Sequence, residues 1–330
     1  MKKRGTGVGC MWYGIGNTAL PNPAGAFIEL LDDGSAIVLT GCADIGQGSD
    51  TVLAQIAAEE LGIKYEDVRV VSGDTEVSPD AGATSASRQT YISGNAVRLA
   101  AQEAKQVLLQ EAAVLLKKPV EELELREGMV LQAGEATGHL VKELIQRCRV
   151  QGKLTLGSGW FNPETTKMDP ETGYGIPYAT YAFATQVAEV EVDTITGEVQ
   201  VLKIYAAHDV GKAINPQNVI GQVQGGCAMG IGYALMEEVK VEKGTIKNPH
   251  LSGYIIPTTL DVPKIDVTIV ESPESSGPFG AKGVGEPALI PTAAAIANAI
   301  YDAIGIRFTS LPITAEKIVA ALKEKNERRA

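Results

Sequence analysis

The sequence predicts an α+β fold made of two related lobes, each a mixed sheet packed with helices. Both halves of the chain contain strand-like hairpins and amphipathic helical stretches. Each half also has a hairpin that ends in Asp, an apolar residue and Gly, followed by a helix: Asp44-Ile45-Gly46 and Asp209-Val210-Gly211. We therefore expect a first lobe over 1–156, a long loop or interface segment over 157–180, a second lobe over 181–330, and a cleft shared by the lobes.

The elements of the first half follow from turn and capping signals. Residues 26–41 form two strands around the turn Asp32-Asp33-Gly34, and the helix 51–62 ends at Gly62. A strand at 68–75, a Gly- and Ser-rich loop at 78–90 and a long helix at 93–116 come next. A hairpin over 118–135 and a helix over 139–150 complete this half.

The second half begins after residues 157–180, which show no periodicity and so indicate a functional or interface loop. Alternating strands follow over 181–211. Asn215-Pro216 then begins a helix, because proline suits the first helical position. A strand at 264–272, a helix after Glu286 and an amphipathic helix over 313–330 end the chain.

Composition excludes several classes of protein. The chain has 330 residues, a net charge of -11 and, apart from its basic beginning, no Lys/Arg cluster outside the last eight residues, which argues against nucleic acid and anionic membranes as partners. The start lacks the apolar core of a secretory signal, and the nearest apolar stretch, 219–236, carries Gln222 and Gln224. We therefore expect a cytoplasmic protein without a membrane span.

Cysteine and histidine spacing does not predict a metal site. The four cysteines are scattered without CxxC spacing, and the three histidines lie far apart. We expect no metal-ligating side chain in this chain. Any metal would belong to a cofactor or to another chain.

Three stretches rich in glycine and small polar residues stand at predicted helix N-termini: 46–51, 82–90 and 279–287. Free backbone N–H groups at such positions bind anions, and glycine lets the backbone approach a ligand closely. None fits a Walker or a Rossmann pattern. Each alone suits a plain helix cap, whereas the three together predict a large polar ligand such as a nucleotide-bearing cofactor.

Glu286 lies between the last glycine-rich stretch and an apolar helix. Because Pro287 suits the first helical position, Glu286 falls at or near the N-cap. Glutamate is not among the favoured caps, since shorter side chains reach the first amides better. Two interpretations remain: a plain helix cap, or a general base directed at a bound ligand.

Four ordered motifs carry a family resemblance. GQGSDTVLAQIAAEELGI, GATSASRQT, HDVGKAINPQNVIGQVQGG and PFGAKGVGEP resemble the second half of the molybdopterin-binding domain in the xanthine oxidase family of molybdenum hydroxylases, over about residues 7–320. The resemblance implies molybdenum–molybdopterin, as the cytosine dinucleotide, between the two halves of that domain. It implies that Glu286 is the catalytic glutamate. The residues implied to bind the cofactor are Gly46, Gln47, Gly48, Thr84, Ser85, Ser87, Arg88, Gln89, Gln222, Gly283, Val284 and Gly285.

The family resemblance also implies an activity and partners. It implies hydroxylation of an electron-poor carbon of a small N-heterocycle with oxygen derived from water, nicotinate being favoured because the chain most resembles the medium subunit of nicotinate dehydrogenases. We expect a large molybdopterin subunit, an iron–sulfur subunit with Fe–S clusters and a flavin subunit with FAD, and no activity of this chain alone. The alternatives are a xanthine, purine or aldehyde dehydrogenase subunit and a non-catalytic cofactor-binding scaffold. A third is a hydrolase that pairs Glu286 with Asp44 or Asp209.

Overall fold

A computed structural model describes residues 1–17 and 21–328, and it shows an α+β fold with two related sheets. The first sheet has the strand order β4-β3-β2-β8 and packs against helices α1 and α2. Only the pair β3 and β4 is parallel. Its elements are β2 (Ala24–Leu30), β3 (Ala36–Thr40), α1 (Ser49–Leu61), β4 (Val68–Ser72), α2 (Gly94–Leu116) and β8 (Leu156–Phe161).

The second sheet repeats this arrangement, with the order β1-β9-β10-β13 and helices α4 and α5. Here too one outer pair, β10 and β13, is parallel and the other pairs are antiparallel. Its elements are β1 (Lys2–Gly14), β9 (Tyr181–Asp193), β10 (Val199–Asp209), α4 (Pro216–Leu235), β13 (Lys264–Val270) and α5 (Ile290–Ile304). The shared topology confirms two related lobes.

Smaller elements extend each lobe. In the first lobe, the antiparallel strands β5 (Leu123–Arg126), β6 (Met129–Gln132) and β7 (Glu135–Leu140) precede α3 (Val141–Val150). In the second lobe, a short hairpin of β11 (Val241–Glu242) and β12 (Thr245–Ile246) follows α4, and α6 (Ala315–Glu327) ends the chain.

Two strands depart from the predicted lobe boundaries. β1 pairs with β9 in the second sheet, although 1–156 was expected to form the first lobe. β8 pairs with β2 and occupies the start of the predicted loop 157–180. Both strands were missed because their buried side consists of glycine: a Cβ on Gly7 would lie 2.1 Å from the nitrogen of Ala299 in α5, and one on Gly159 would lie 1.9 Å from the oxygen of Ala96 in α2. These helices pack directly on the strand backbone.

Helix α5 is the most apolar long segment among the described residues. The stretch Glu286–Ile304 is long and apolar enough to cross a membrane by length and composition, and it is a different stretch from 219–236, which the sequence indicates as the nearest to a span. About half of that stretch, 56%, is buried. Because α5 packs on β1 and its buried residues pack with those of β9, β10 and α4, α5 is the core helix of the second lobe.

Candidate active site

Three loops, one before each of α1, α2 and α5, bring the predicted site residues together. We call them the Gln47 loop (residues 43–48), the Ser87 loop (residues 82–88) and the Glu286 loop (residues 280–286). Thr84 joins the first two, because its Oγ1 accepts a hydrogen bond of 2.9 Å from the amide of Ala43. Ser87 joins the second to the third. The site therefore lies where the two lobes meet.

Ser87 and Glu286 form the contact between the lobes. The Ser87 hydroxyl donates to Oε2 of Glu286 and accepts a hydrogen bond of 3.0 Å from the Glu286 amide. Ala86 and Ser87 both have φ near +54°, a left-handed conformation that costs free energy for residues other than glycine. A Cβ on Gly283 would lie 1.7 Å from the Ser87 carbonyl oxygen. Glycine at 283 is therefore what allows the two loops to touch.

The Glu286 side chain is exposed, and only one of its two carboxylate oxygens has a hydrogen-bond partner among the described residues. Its Oε2 accepts from Ser87, while Oε1 contacts no polar partner in 1–17 or 21–328. Glu286 begins a short 3-10 turn (Glu286–Ala288) and α5 begins only at Ile290. Glu286 therefore stands near the start of this helical segment, as predicted, but among the described residues its side chain accepts no hydrogen bond from the first amides of α5, which speaks against a plain cap.

The two loops that meet at Ser87 and Glu286 also contain backbone N–H groups without a partner. The amides of Ala86 and Ser87 in the Ser87 loop, and of Val284 and Gly285 in the Glu286 loop, donate no hydrogen bond to any described residue. Unpaired N–H groups from two loops suit a ligand rich in oxygen acceptors. Thr84 and the exposed Ser85 add hydroxyls at the same loop.

Arg88 and Gln89 point into the protein. The Arg88 guanidinium donates to the carbonyls of Ala81, Ala83, Asn22 and Pro23 at 2.6–3.0 Å, and the residue is 1% exposed. Gln89 bonds Thr84, Cys42 and Ser93. Both residues support the Ser87 loop by hydrogen bonds from its buried side. A phosphate contact by Arg88 was implied by the resemblance, but its donors face backbone carbonyls instead.

The Gln47 loop is organised by Asp44. The Asp44 carboxylate accepts from the amides of Gly46, Gly48 and Asp50 at 2.8–3.3 Å, which are the amides expected to bind an anion. Burial acts to raise the pKa of Asp44, but these backbone hydrogen bonds outweigh it and lower the pKa. The Gln47 amide likewise bonds Ala43 and Ser49 within the loop. Asp44 thus occupies three of the amides in 46–51, the stretch for which an anion was predicted.

Gln222 remains available for a ligand. It lies in the second turn of α4, whose cap Asn215 accepts from the Asn218 amide at 3.0 Å and donates to Gln55 of α1 at 3.2 Å. This contact places the start of α4 beside the Gln47 loop. The half-buried Gln222 amide forms no hydrogen bond within the described ranges. Its contact with a pterin stays a prediction.

Tyr13 is a site residue that sequence reasoning missed. Its side chain interacts with Ser87, and burial together with the negative charge of Glu286 raises the pKa of Tyr13 to about 12. Tyr13 lies at the end of β1. The signal was the alternating glycine pattern GTGVGCMWYG, which marks a strand whose last residues reach the cleft.

The acids suggested as partners of Glu286 for a hydrolase are engaged elsewhere. Asp44 binds the start of α1, and Asp209 forms an ion pair with Lys282, with Oδ2 and Nζ 2.6 Å apart. Neither bonds to Glu286, and both carboxylates are taken up by these structural contacts, which speaks against their use as the second acid of a hydrolase. The described part of the chain also contains no cluster of three or more His, Cys, Asp or Glu side chains able to hold a metal ion.

Comparison with known proteins supplies the family. Residues 1–263 match the model of the molybdopterin cofactor-binding domain. The chain is 34% identical over 323 residues to the xanthine dehydrogenase molybdenum-binding subunit of Escherichia coli O157:H7, covering 96% of this chain and 42% of that protein. It is 33% identical over 325 residues to the aldehyde oxidoreductase of Megalodesulfovibrio gigas, covering 97% and 32%.

A solved structure agrees with the sequence matches. Quinoline 2-oxidoreductase from Pseudomonas putida 86 superposes with a TM-score of 0.86 at 30% identity, over 98% of this chain and 42% of that chain. The chain thus spans between about a third and two fifths of the length of these proteins. It belongs to the molybdopterin cofactor-binding domain family of the xanthine oxidase type of molybdenum hydroxylases.

Proposed function

We propose that this chain forms one wall of the molybdenum–molybdopterin site of a heteromeric hydroxylase, with Glu286 as the general base. The observation that carries the proposal is the Glu286 carboxylate, which Ser87 of the other lobe holds by Oε2 while Oε1 stays free. A base must be fixed near the proton that it removes, and a residue held from two lobes meets this need.

Ser87 and Tyr13 have different roles beside the proposed base. The Glu286 amide donates to the Ser87 oxygen, so the Ser87 hydrogen points at Oε2 and Oε1 is the atom that accepts the proton. Tyr13 lies beside Ser87 and is neutral at pH 7, since the ordinary pKa of a tyrosine is far above neutral and that of Tyr13 is raised further, to about 12. It therefore adds a neutral group, and no competing negative charge, beside the base.

The residues present fit the cofactor. The unpaired amides of the Ser87 and Glu286 loops, the Thr84 and Ser85 hydroxyls and the Gln222 amide offer donors for the oxygen and nitrogen acceptors of a pterin and its phosphates. When bound, the cofactor supplies the two-electron redox chemistry. The cytosine dinucleotide form is part of the proposal and rests on the family resemblance.

The substrate proposed is an N-heterocycle, with nicotinate favoured, and the oxygen comes from water. Two of the three relatives are named for N-heterocycles, xanthine and quinoline, which supports this class. An aldehyde is the alternative, supported by the aldehyde oxidoreductase. Because the chain spans at most about two fifths of these relatives, we propose a large molybdopterin subunit together with iron–sulfur and flavin subunits as its partners.

The test is to purify the native complex through this chain and measure molybdenum, CMP released by acid, the co-purifying subunits and turnover of nicotinate, purines and aldehydes. A parallel complex carries Glu286→Gln, which keeps the size of the side chain but removes its basicity. We expect the cofactor to be retained and turnover to fall at least about 100-fold. Unchanged turnover would identify the chain as a scaffold, and a complex without molybdenum would contradict the cofactor proposal.

A further inference from the structure

We propose that two buried polar anchors, one on each side of Glu286 in the chain, position the catalytic turn. The first is the Asp209–Lys282 ion pair, and the second is the hydrogen bond from Gln186 to the Ala288 carbonyl. Asp209 and Gln186 lie on the adjacent strands β10 and β9. The inference rests on the proposed role of Glu286 and assigns Lys282 and Gln186 as positioning residues.

The first anchor ties the Glu286 loop to the end of β10. Lys282 Nζ and Asp209 Oδ2 are 2.6 Å apart, with side chains only 8% and 10% exposed. The Lys282 amide donates to the Val210 carbonyl at 2.9 Å, and the Lys212 amide donates to that of Gly280 at 2.7 Å. Two of the three residues between Lys282 and Glu286 are glycines, so Lys282 is the last polar side chain that holds the loop before the base.

The second anchor lies beneath the turn that begins at Glu286. Gln186 Nε2 donates to the Ala288 carbonyl at 3.0 Å and also contacts His208 Nε2 at 3.0 Å. Gln186 Oε1 accepts from Thr292 Oγ1 at 2.6 Å. Gln186, His208 and Thr292 are each at most 1% exposed. Gln186 therefore uses both donors and its acceptor, which fixes the orientation of its amide.

Glu286 is held between these points, four residues after Lys282 and two before Ala288. Removing one partner of a buried ion pair destabilises the folded state, because the other charge stays buried without compensation. Without Lys282 the Asp209 carboxylate would lose its partner, and only backbone hydrogen bonds would hold the Glu286 loop to the end of β10. A displacement of about 1 Å in a catalytic group costs on the order of 100-fold in rate.

The experiment compares Lys282→Met and Thr292→Val in the assembled complex with the matched control Lys212→Met. Lys212 starts from the same strand end and pairs with Glu271 at 2.9 Å, but their side chains are 51% and 38% exposed. We expect kcat to fall about 10- to 100-fold in the first two variants with KM and molybdenum content unchanged. Hydrogen exchange of the amides in 280–286 should accelerate in Lys282→Met. Lys212→Met should match the wild type in every measurement.

The results distinguish a failure of the positioning role from a failure of the proposed base, Glu286. If Glu286→Gln abolishes turnover while Lys282→Met and Thr292→Val behave like Lys212→Met, the anchors have no positioning role and the proposed base stands. If Glu286→Gln itself retains turnover, the proposed function fails first. Should Lys282→Met fail to assemble, Asp209→Asn replaces it, because Asn keeps the volume and the acceptor for the Gly211 amide at 2.9 Å. Wild-type kcat in that variant overturns the inference.

Discussion

Ser87 and Glu286 lie 199 residues apart, yet one Ser87 hydroxyl bonds both the carboxylate and the backbone amide of Glu286. The contact joins the loop before α2 to the loop before α5, which occupy equivalent places in the two lobes. The duplicated topology thus yields one site with unequal halves. One lobe supplies the acid, and the other supplies the hydroxyl that orients it.

Removing the hydroxyl by Ser87→Ala should weaken catalysis more than folding. The variant loses a hydrogen bond to a charged group, which is worth about 1.5–3 kcal/mol, and leaves Oε2 of Glu286 without its partner. We expect kcat to fall about 10- to 100-fold at unchanged molybdenum content, measured on the purified complex. Wild-type kcat would show that Glu286 needs no orientation from the other lobe.

Gly283→Ala should separate the two loops. Its Cβ would lie 1.7 Å from the Ser87 carbonyl oxygen, so we expect a loss of about 1–3 kcal/mol in unfolding free energy, measured by chemical denaturation. Gly225→Ala is the matched control, because nothing lies within 4 Å of its added Cβ and Gly225 is in the interior of α4. That variant should gain about 0.5–1 kcal/mol from helix propensity. Equal effects at both positions would contradict the close contact.

His208 should make the fold sensitive to mild acid. Burial lowers its pKa to about 4, Nε2 is bonded to Gln186, and Nδ1 has no hydrogen-bond partner in the described ranges. The unfolded chain takes up a proton near pH 6.5 and the folded chain only near pH 4, so the free energy of unfolding rises with pH across this window. On acidification the loss due to His208 approaches about 3 kcal/mol at pH 4.

The measurement for His208 is the unfolding free energy at several pH values between 4 and 7, for the wild type and His208→Gln. Glutamine keeps an acceptor for Gln186 but cannot take up a proton there. As the pH falls from 7 to 4, the unfolding free energy of the wild type should decrease relative to that of His208→Gln. Parallel curves would show that His208 does not titrate between the folded and unfolded states in this window.

Much of the fold was predictable because its signals are local. The hairpin of β2 and β3 follows from alternation around Asp32-Asp33-Gly34, and α1 ends where Gly62 adopts φ +71°. The strands β1 and β8 were hidden for a physical reason. Their buried side is glycine because a helix backbone packs against it, so the apolar alternation that marks a half-buried strand is missing.

The site was predictable in part. Glu286, Ser87 and the surrounding glycines follow from motifs, and the structure places them in contact. Sequence could not show that Asp44 occupies the amides before α1, or that Arg88 turns inward to four carbonyls. Both outcomes depend on which partner lies within reach after folding. The same holds for Tyr13, which reaches the cleft only because β1 pairs with β9.

The pairing of β1 with β9 sets the order in which a growing chain can complete this site. Gly7 pairs with Ala188, so β1 lacks its partner strand until the first lobe, which lies between the two strands in the chain, has been synthesised. The Ser87 loop is therefore synthesised 199 residues before the carboxylate that it holds. A chain interrupted between Ser87 and Glu286 can present the docking position for the carboxylate but not the carboxylate itself.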